Sequence, residues 1–343
     1  MERKYLISSA LAVAVVLEGF AGVALAATVD GTWNVQNSGK WGTGSNWASG
    51  SVPNGSAATI SFNALTLTKN IVVSVVDKNG VATDRGAKTL LFDTGTPDFS
   101  YTIAGPGTLS FGPGGSVNVA AQQTAHIDAG FTASTWSKTG EGTLEVGGSA
   151  ANTSATTMAV KAGTLALNKT AGTAAIAGDL AVGDGTANSD GSADTVRLMQ
   201  SDQIANASSV TVAAHGLFDA GLQTDQVTNF SGAGALGISL GGSSAGAITT
   251  TGTLDVSTLT LDLTQVSPLS QNVYVLANYS NGGLVGEFAA TNGLGSGQVF
   301  YHGLDGQTNS IVYVVPEPAS LSLAALGCCG LLLRRRGLSL RAV

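Results

Sequence analysis

The chain has 343 residues, with 15 Lys+Arg against 22 Asp+Glu, a formal net charge of −7 and 47 glycines. Without its two ends it keeps nine basic and 19 acidic residues, a net charge of −10, which argues against nucleic acid and anionic lipid as partners. Hydrophobic residues make up 43% and they alternate, which argues against a disordered chain.

The first segment predicts export. Arg3 and Lys4 give a basic start, and Leu6 to Val23 is mostly apolar, broken by Glu18. Ala24-Leu25-Ala26 places small residues where a signal peptidase reads, so residues 1–26 are expected to be a signal helix cleaved to leave Ala27 as the new N-terminus.

Residues 27–100 are expected to form an N-terminal β cap. Trp33, Trp41 and Trp47 crowd into this region, within Gly31-Thr32-Trp33, Asn46-Trp47 and the following Val52-Pro53-Asn54. The grouping resembles an N-terminal module of exported repeat proteins. Two roles suit it: an aromatic platform for sugar rings, and a cover for the open end of a stack. Large aromatics more often serve packing, so the cover is favoured.

From 101 to 257 a short phrase recurs. It reads Gly107-Thr108-Leu109-Ser110-Phe111, Gly142-Thr143-Leu144-Glu145-Val146, Gly163-Thr164-Leu165-Ala166-Leu167 and Gly252-Thr253-Leu254-Asp255-Val256, with looser copies at Gly178, Ser209 and Ser257. Each is a turn followed by a strand with apolar residues two apart, which puts the apolar side chains on one face. Gly142 and Gly163 lie 21 residues apart. That is too long for a hairpin meander and suits one coil of a parallel β-helix, with Leu and Val forming inward ladders. The leading glycine is expected to supply a positive-φ corner. Irregular spacing elsewhere leaves a β-sandwich open.

Trp136-Ser137-Lys138-Thr139-Gly140-Glu141-Gly142-Thr143-Leu144, a polar loop and Val160-Lys161-Ala162-Gly163-Thr164-Leu165 resemble the autotransporter-associated β-strand repeat. That resemblance implies an all-β fold, a right-handed parallel β-helix (solenoid) with flanking β caps, on a bacterial surface protein.

Chemistry-bearing residues are sparse. Asp179, Asp184, Asp190 and Asp194 bracket a Gly-rich loop whose oxygens have the type that Ca²⁺ takes, but the loop does not fit the twelve-residue EF pattern, and a solvated loop is the plainer reading. His126, His215 and His302 lie far apart and are expected to be ordinary turn or surface residues. Between the ends only Arg85 and Arg197 accompany seven lysines, which weighs against a polysaccharide lyase. No catalytic residue, metal site or cofactor is expected.

Residues 258–314 alternate strongly and predict a terminal β region. The tail, 315–337, then runs Val315-Pro316-Glu317-Pro318-Ala319-Ser320, a thirteen-residue apolar stretch Leu321 to Leu333, and Arg334-Arg335-Arg336. A bilayer span needs about 20 residues, so this single apolar helix is a marginal anchor, with the arginines held on the cytoplasmic side as a membrane stop. Pro316 and Pro318 keep Glu317 in an extended segment. Cys328 and Cys329, the only cysteines, fall inside this helix, so the exported region lacks disulfides. Proline-Glu-proline, apolar helix and arginines in this order resemble the PEP-CTERM sorting tail. The resemblance implies recognition at Pro316, Glu317 and Pro318 by an exosortase-type enzyme, after transient inner-membrane anchoring. The expected product is a non-enzymatic surface or matrix protein, with signal peptidase and the sorting enzyme as partners and extracellular polysaccharide as a candidate partner. The alternative is a carbohydrate-binding or polysaccharide-degrading β-helix protein.

Overall fold

The computed structural model describes residues 28–154, 157–294, 297–302 and 309–315. Ala24, Ala26 and Ala27 of the leader, and Pro316, Glu317, Pro318, Arg334, Arg335 and Arg336 of the tail, lie outside the described residues, as do both expected apolar helices. Among the described residues no helix is long and apolar enough to cross a membrane.

The fold is all-β. Its strands alternate between two long parallel sheets, of 13 and 12 strands, and a third sheet of five strands joins towards the C-terminal end. The main path of the first long sheet runs from Gly31–Thr32 to Leu284–Val285, and that of the second from Gly39–Gly42 to Ala290–Asn292. Each step pairs a strand with one two to four places further along the chain, an order compatible with stacked coils of a solenoid. Both sheets run through the boundaries drawn at 100 and 257. Residues on either side of those boundaries therefore supply strands to the same stack.

Period-two alternation builds the interior. In the second sheet Tyr101, Ala125, Leu144, Leu165, Val196, Phe218, Leu236 and Leu261 stand in register, and each is fully buried. Leu144 pairs directly with Leu165, so the 21-residue spacing is one coil. The next coil is longer: Leu165 pairs with Val196, and the extra length is the loop between the strands Leu180–Val182 and Asp194–Leu198. The recurring phrase does not mark a single sheet. The copies at Gly142 and Gly163 supply the second sheet, whereas those at Gly178, Ser209 and Gly252 supply the first. One coil needs a turn and an alternating strand more than once, so the phrase occurs on more than one side.

The glycine of the phrase has a different reason from the one expected. Of Gly107, Gly142, Gly163 and Gly252 only Gly163 has positive φ, at 68°. The others are close-approach positions. A Cβ on Gly107 would lie 2.3 Å from Val75 O, and one on Gly142 would lie 2.1 Å from Ala120 O. The corner of each coil thus rests on carbonyls of the coil before it, and only a residue without a side chain fits.

The first sheet carries an exception to the apolar rule. Its inward ladder reads Ile60, Leu90, Val117, Lys138, Val160, Val182, Val212. Lys138 is fully buried. Its Nζ donates to Gly140 O at its own corner and to Ala162 O of the next coil at 2.8 Å. An ammonium away from water requires such acceptors, and burial lowers the Lys138 pKa to about 7.

Candidate functional site

The tryptophan platform is corrected by the structure. Trp33 and Trp41 are fully buried and Trp47 is 2% exposed, so none of the three presents a ring face to a ligand. Trp33 meets Trp47 edge-on at 5.1 Å, Trp41 lies 5.2 Å from Trp47, and Phe62 joins them and stacks on Phe92 at 4.9 Å. The indole N–H groups are satisfied internally: Trp33 donates to Val35 O at 2.9 Å, Trp41 to Pro53 O at 3.0 Å and Trp47 to Trp41 O at 2.8 Å. These rings fill the first coils, where burying so large an apolar area with its polar atoms paired stabilises more than exposure would.

The outer face of the second sheet carries a row of polar and charged residues. Thr102, His126, Glu145, Ala166, Arg197, Asp219, Gly237, Asp262 and Asn292 occupy successive strands in register. Neighbours pair along the row. His126 Nδ1 lies 3.6 Å from Glu145 Oε2, Arg197 Nε donates to Asp219 Oδ2 at 2.8 Å, and Asn292 Nδ2 donates to Asp262 Oδ1 at 2.7 Å. The Glu145 carboxylate holds the His126 ring above its ordinary value, and His126, with Asn168, holds Glu145 below its own. These are cross-strand pairs of a half-exposed sheet face, each a small stabilising contribution. His215 sits in a turn with φ 60°, and His302 Nδ1 lies 3.3 Å from Tyr279 Oη. The three histidines do not meet.

The aspartate loop is built from local turns. Asp184 Oδ1 accepts from Thr186 N at 2.9 Å, and Asp190 Oδ1 accepts from Ser192 N at 2.8 Å. Asp179 caps the neighbouring coil through Ser209 N at 2.8 Å. Asp194 is buried at the start of its strand, where burial holds its pKa above the ordinary value and Asp184 is a close neighbour. The loop is pinned back across the stack, since Glu141 accepts from both Ser189 N and Ser189 Oγ at 2.6 Å. Among the described residues no three His, Cys, Asp or Glu side chains converge in a way that could hold a metal.

A second corner of the stack holds buried polar groups that sequence reasoning missed. Lys169 is fully buried and donates to Gly147 O at 2.7 Å. Gln203 Oε1 accepts from Lys169 N at 2.8 Å, and Asp225 Oδ2 accepts from Gln203 N at 2.8 Å and Ile204 N at 3.1 Å. Asp225 Oδ1 is buried with no hydrogen-bond partner. Burial raises the Asp225 pKa from 3.8 to about 7. The folded state therefore binds the Asp225 proton more tightly than the unfolded chain. The resulting penalty is absent below pH 3.8, grows as pH rises and levels off above about pH 7. Asp225→Asn keeps an oxygen acceptor for both N–H groups and cannot ionise. Its thermal midpoint should match that of the unsubstituted protein at pH 4 and exceed it increasingly up to pH 8, by on the order of 3 kcal/mol in stability. Parallel melting profiles across that range would refute the assignment.

A further feature is a cleft of about 340 Å³ where three successive corners stack. It is lined by Pro106 and Thr108 of one coil, Asp128 and Thr132 of the next, and Ser149 and Thr153 of the third. A shallower depression of about 670 Å³ meets it at Ser149 and continues past Asn168 and Thr170 to Gln200. No family model matches this chain, and neither a curated protein nor a solved structure does.

Proposed function

We propose that the protein is an exported structural component of the cell surface or extracellular matrix, built as a right-handed parallel β-helix and without catalytic activity. The observation that carries this reading is the continuous strand-to-strand pairing along two long sheets. Eleven strands along each main path make ten steps of about 4.8 Å, a stack roughly 48 Å long. Such a stack buries a continuous core from coil to coil and needs no disulfide. It also presents short-range paired groups on its faces, which suits a spacer. Right-handedness follows the general rule for parallel crossovers.

In this reading the leader is removed between Ala26 and Ala27. The tail holds the chain at the inner membrane, with Arg334, Arg335 and Arg336 on the cytoplasmic side, until a sorting enzyme acts at Pro316-Glu317-Pro318. Intact mass of the native protein, taken with its cell fraction, tests this. An N-terminus at Ala27, a C-terminus near Pro316 to Pro318 and recovery from the outer envelope or matrix are the expected results. An intact tail recovered with the inner membrane would overturn the sorting step and move the protein's work to the periplasm.

A further inference from the structure

The stacked corners at Pro106–Thr108, Asp128–Thr132 and Ser149–Thr153 have a chemistry that neither the core nor the sheet faces share. The Asp128 carboxylate lies against Gly147, its Oδ1 2.4 Å from where a Cβ on that glycine would stand. Among the described residues it has no hydrogen-bond partner, unlike Asp179, Asp184, Asp190 and Asp219. Beside it runs a ladder of hydroxyls. Ser110, Thr132 and Thr153 are in register on three successive strands, and Thr132 Oγ1 donates to Ser110 Oγ at 3.3 Å. Pro106, Ala150 and Ala151 add apolar surface to the same walls. Lys169 lines the adjoining depression and its ammonium is attracted by the Asp128 charge, but it is buried and its Nζ donates to Gly147 O.

We propose that this groove binds a neutral, linear polysaccharide whose chain runs along the stack axis. The polar groups repeat at the strand spacing of about 4.8 Å, comparable to the length of one extended sugar unit, so successive units meet equivalent corners. A carboxylate without a hydrogen-bond partner, beside hydroxyls, accepts from the hydroxyl pair of a sugar ring, while the small apolar residues lie against its C–H face. Asp128, the one charged residue among those lining the cleft, is negative, which disfavours a polyanion. The shallower depression from Ser149 past Thr170 to Gln200 extends the same edge over two further coils, so affinity should grow with oligosaccharide length. The inference concerns described residues alone and stands whether or not the export reading holds.

Native electrophoresis of the full exported chain in gels containing hydroxyethylcellulose, glucomannan or dextran tests the groove, with polygalacturonate as the polyanionic comparison. At least one neutral polymer should retard the protein. Asp128→Ala should weaken that retardation about tenfold. Since Asp128 is half-buried, the double variant Thr132→Val/Thr153→Val provides a second reading at positions that keep their side-chain size. It should also weaken binding while its melting temperature is unchanged. Thr211→Val, on the outer face of the first sheet, should bind as the unsubstituted protein does. Absence of retardation by every neutral polymer, retardation by polygalacturonate alone, or equal retardation of all variants would overturn the proposal.

Discussion

Gly142→Val is expected to lower stability by about 3 kcal/mol or more, although it adds only apolar atoms to a β protein. The new Cβ would stand 2.1 Å from Ala120 O, 2.7 Å from Gln123 O and 2.8 Å from a methyl of Val119. Those carbonyls cannot step aside freely. Gln123 O accepts from Thr143 N at 2.8 Å, Ala120 O accepts from Gln123 N at 3.1 Å, and Gly142 N itself donates to Val119 O at 3.0 Å. Relief of the clash therefore breaks bonds between coils, and the severed groups are buried beside the ladder. Gly114→Ala is the appropriate comparison. Gly114 has a φ of 66° with nothing within 4 Å of its added Cβ, so it should lose only the ~1 kcal/mol of a left-handed non-glycine residue. Midpoints of urea unfolding separate the two. Equal losses would mean that corner contact between coils contributes little.

Trp41→Ala should cost about 3–5 kcal/mol, the largest loss expected from a single truncation in the first coils. Trp41 is fully buried, touches Trp47 and Phe62, and donates to Pro53 O. Its removal leaves a cavity beneath the loop from Thr43 to Pro53 and frees a carbonyl there. In a stack each coil leans on its neighbours, so the damage should stay near that end. Hydrogen exchange is the direct measurement. Protection should fall across Gly31–Thr32, Gly39–Gly42 and Thr59–Phe62, and persist in Thr164–Leu167 and Gly216–Gly221. Protection lost evenly along the chain would show instead that the stack unfolds as one unit from its first coil.

The two substitutions mark what was legible in the sequence and what was not. Alternation in Thr143 to Val146 and Thr164 to Leu167 correctly places Leu144 and Leu165 inside and paired one coil apart. The same alternation places Lys138 inside as well, since it lies two residues after Trp136, but a lysine read alone is taken for a surface residue. Its acceptors, Gly140 O and Ala162 O, belong to two coils, so their convergence cannot be seen along the chain. The tryptophans show the converse. Their clustering in sequence was visible, yet whether clustered rings face solvent or one another depends on Phe62 and Phe92, which arrive from later strands. The candidate groove was illegible for the same reason. Thr108, Asp128 and Ser149 lie on three coils, and nothing in their local sequences distinguishes them from other turn residues.

What the sequence determined by itself is local: strands with one apolar face, turns rich in glycine, and a one-coil spacing where two phrases match closely. Period two and turn geometry depend on neighbouring residues, so they can be read in order. Only the tertiary structure decided which sheet each phrase joins, why Gly142 must lack a side chain, and which carboxylates find partners. Each of those is settled by contact with the coil above or below, some 20 or more residues away, where packing and carbonyl positions are products of the stack itself.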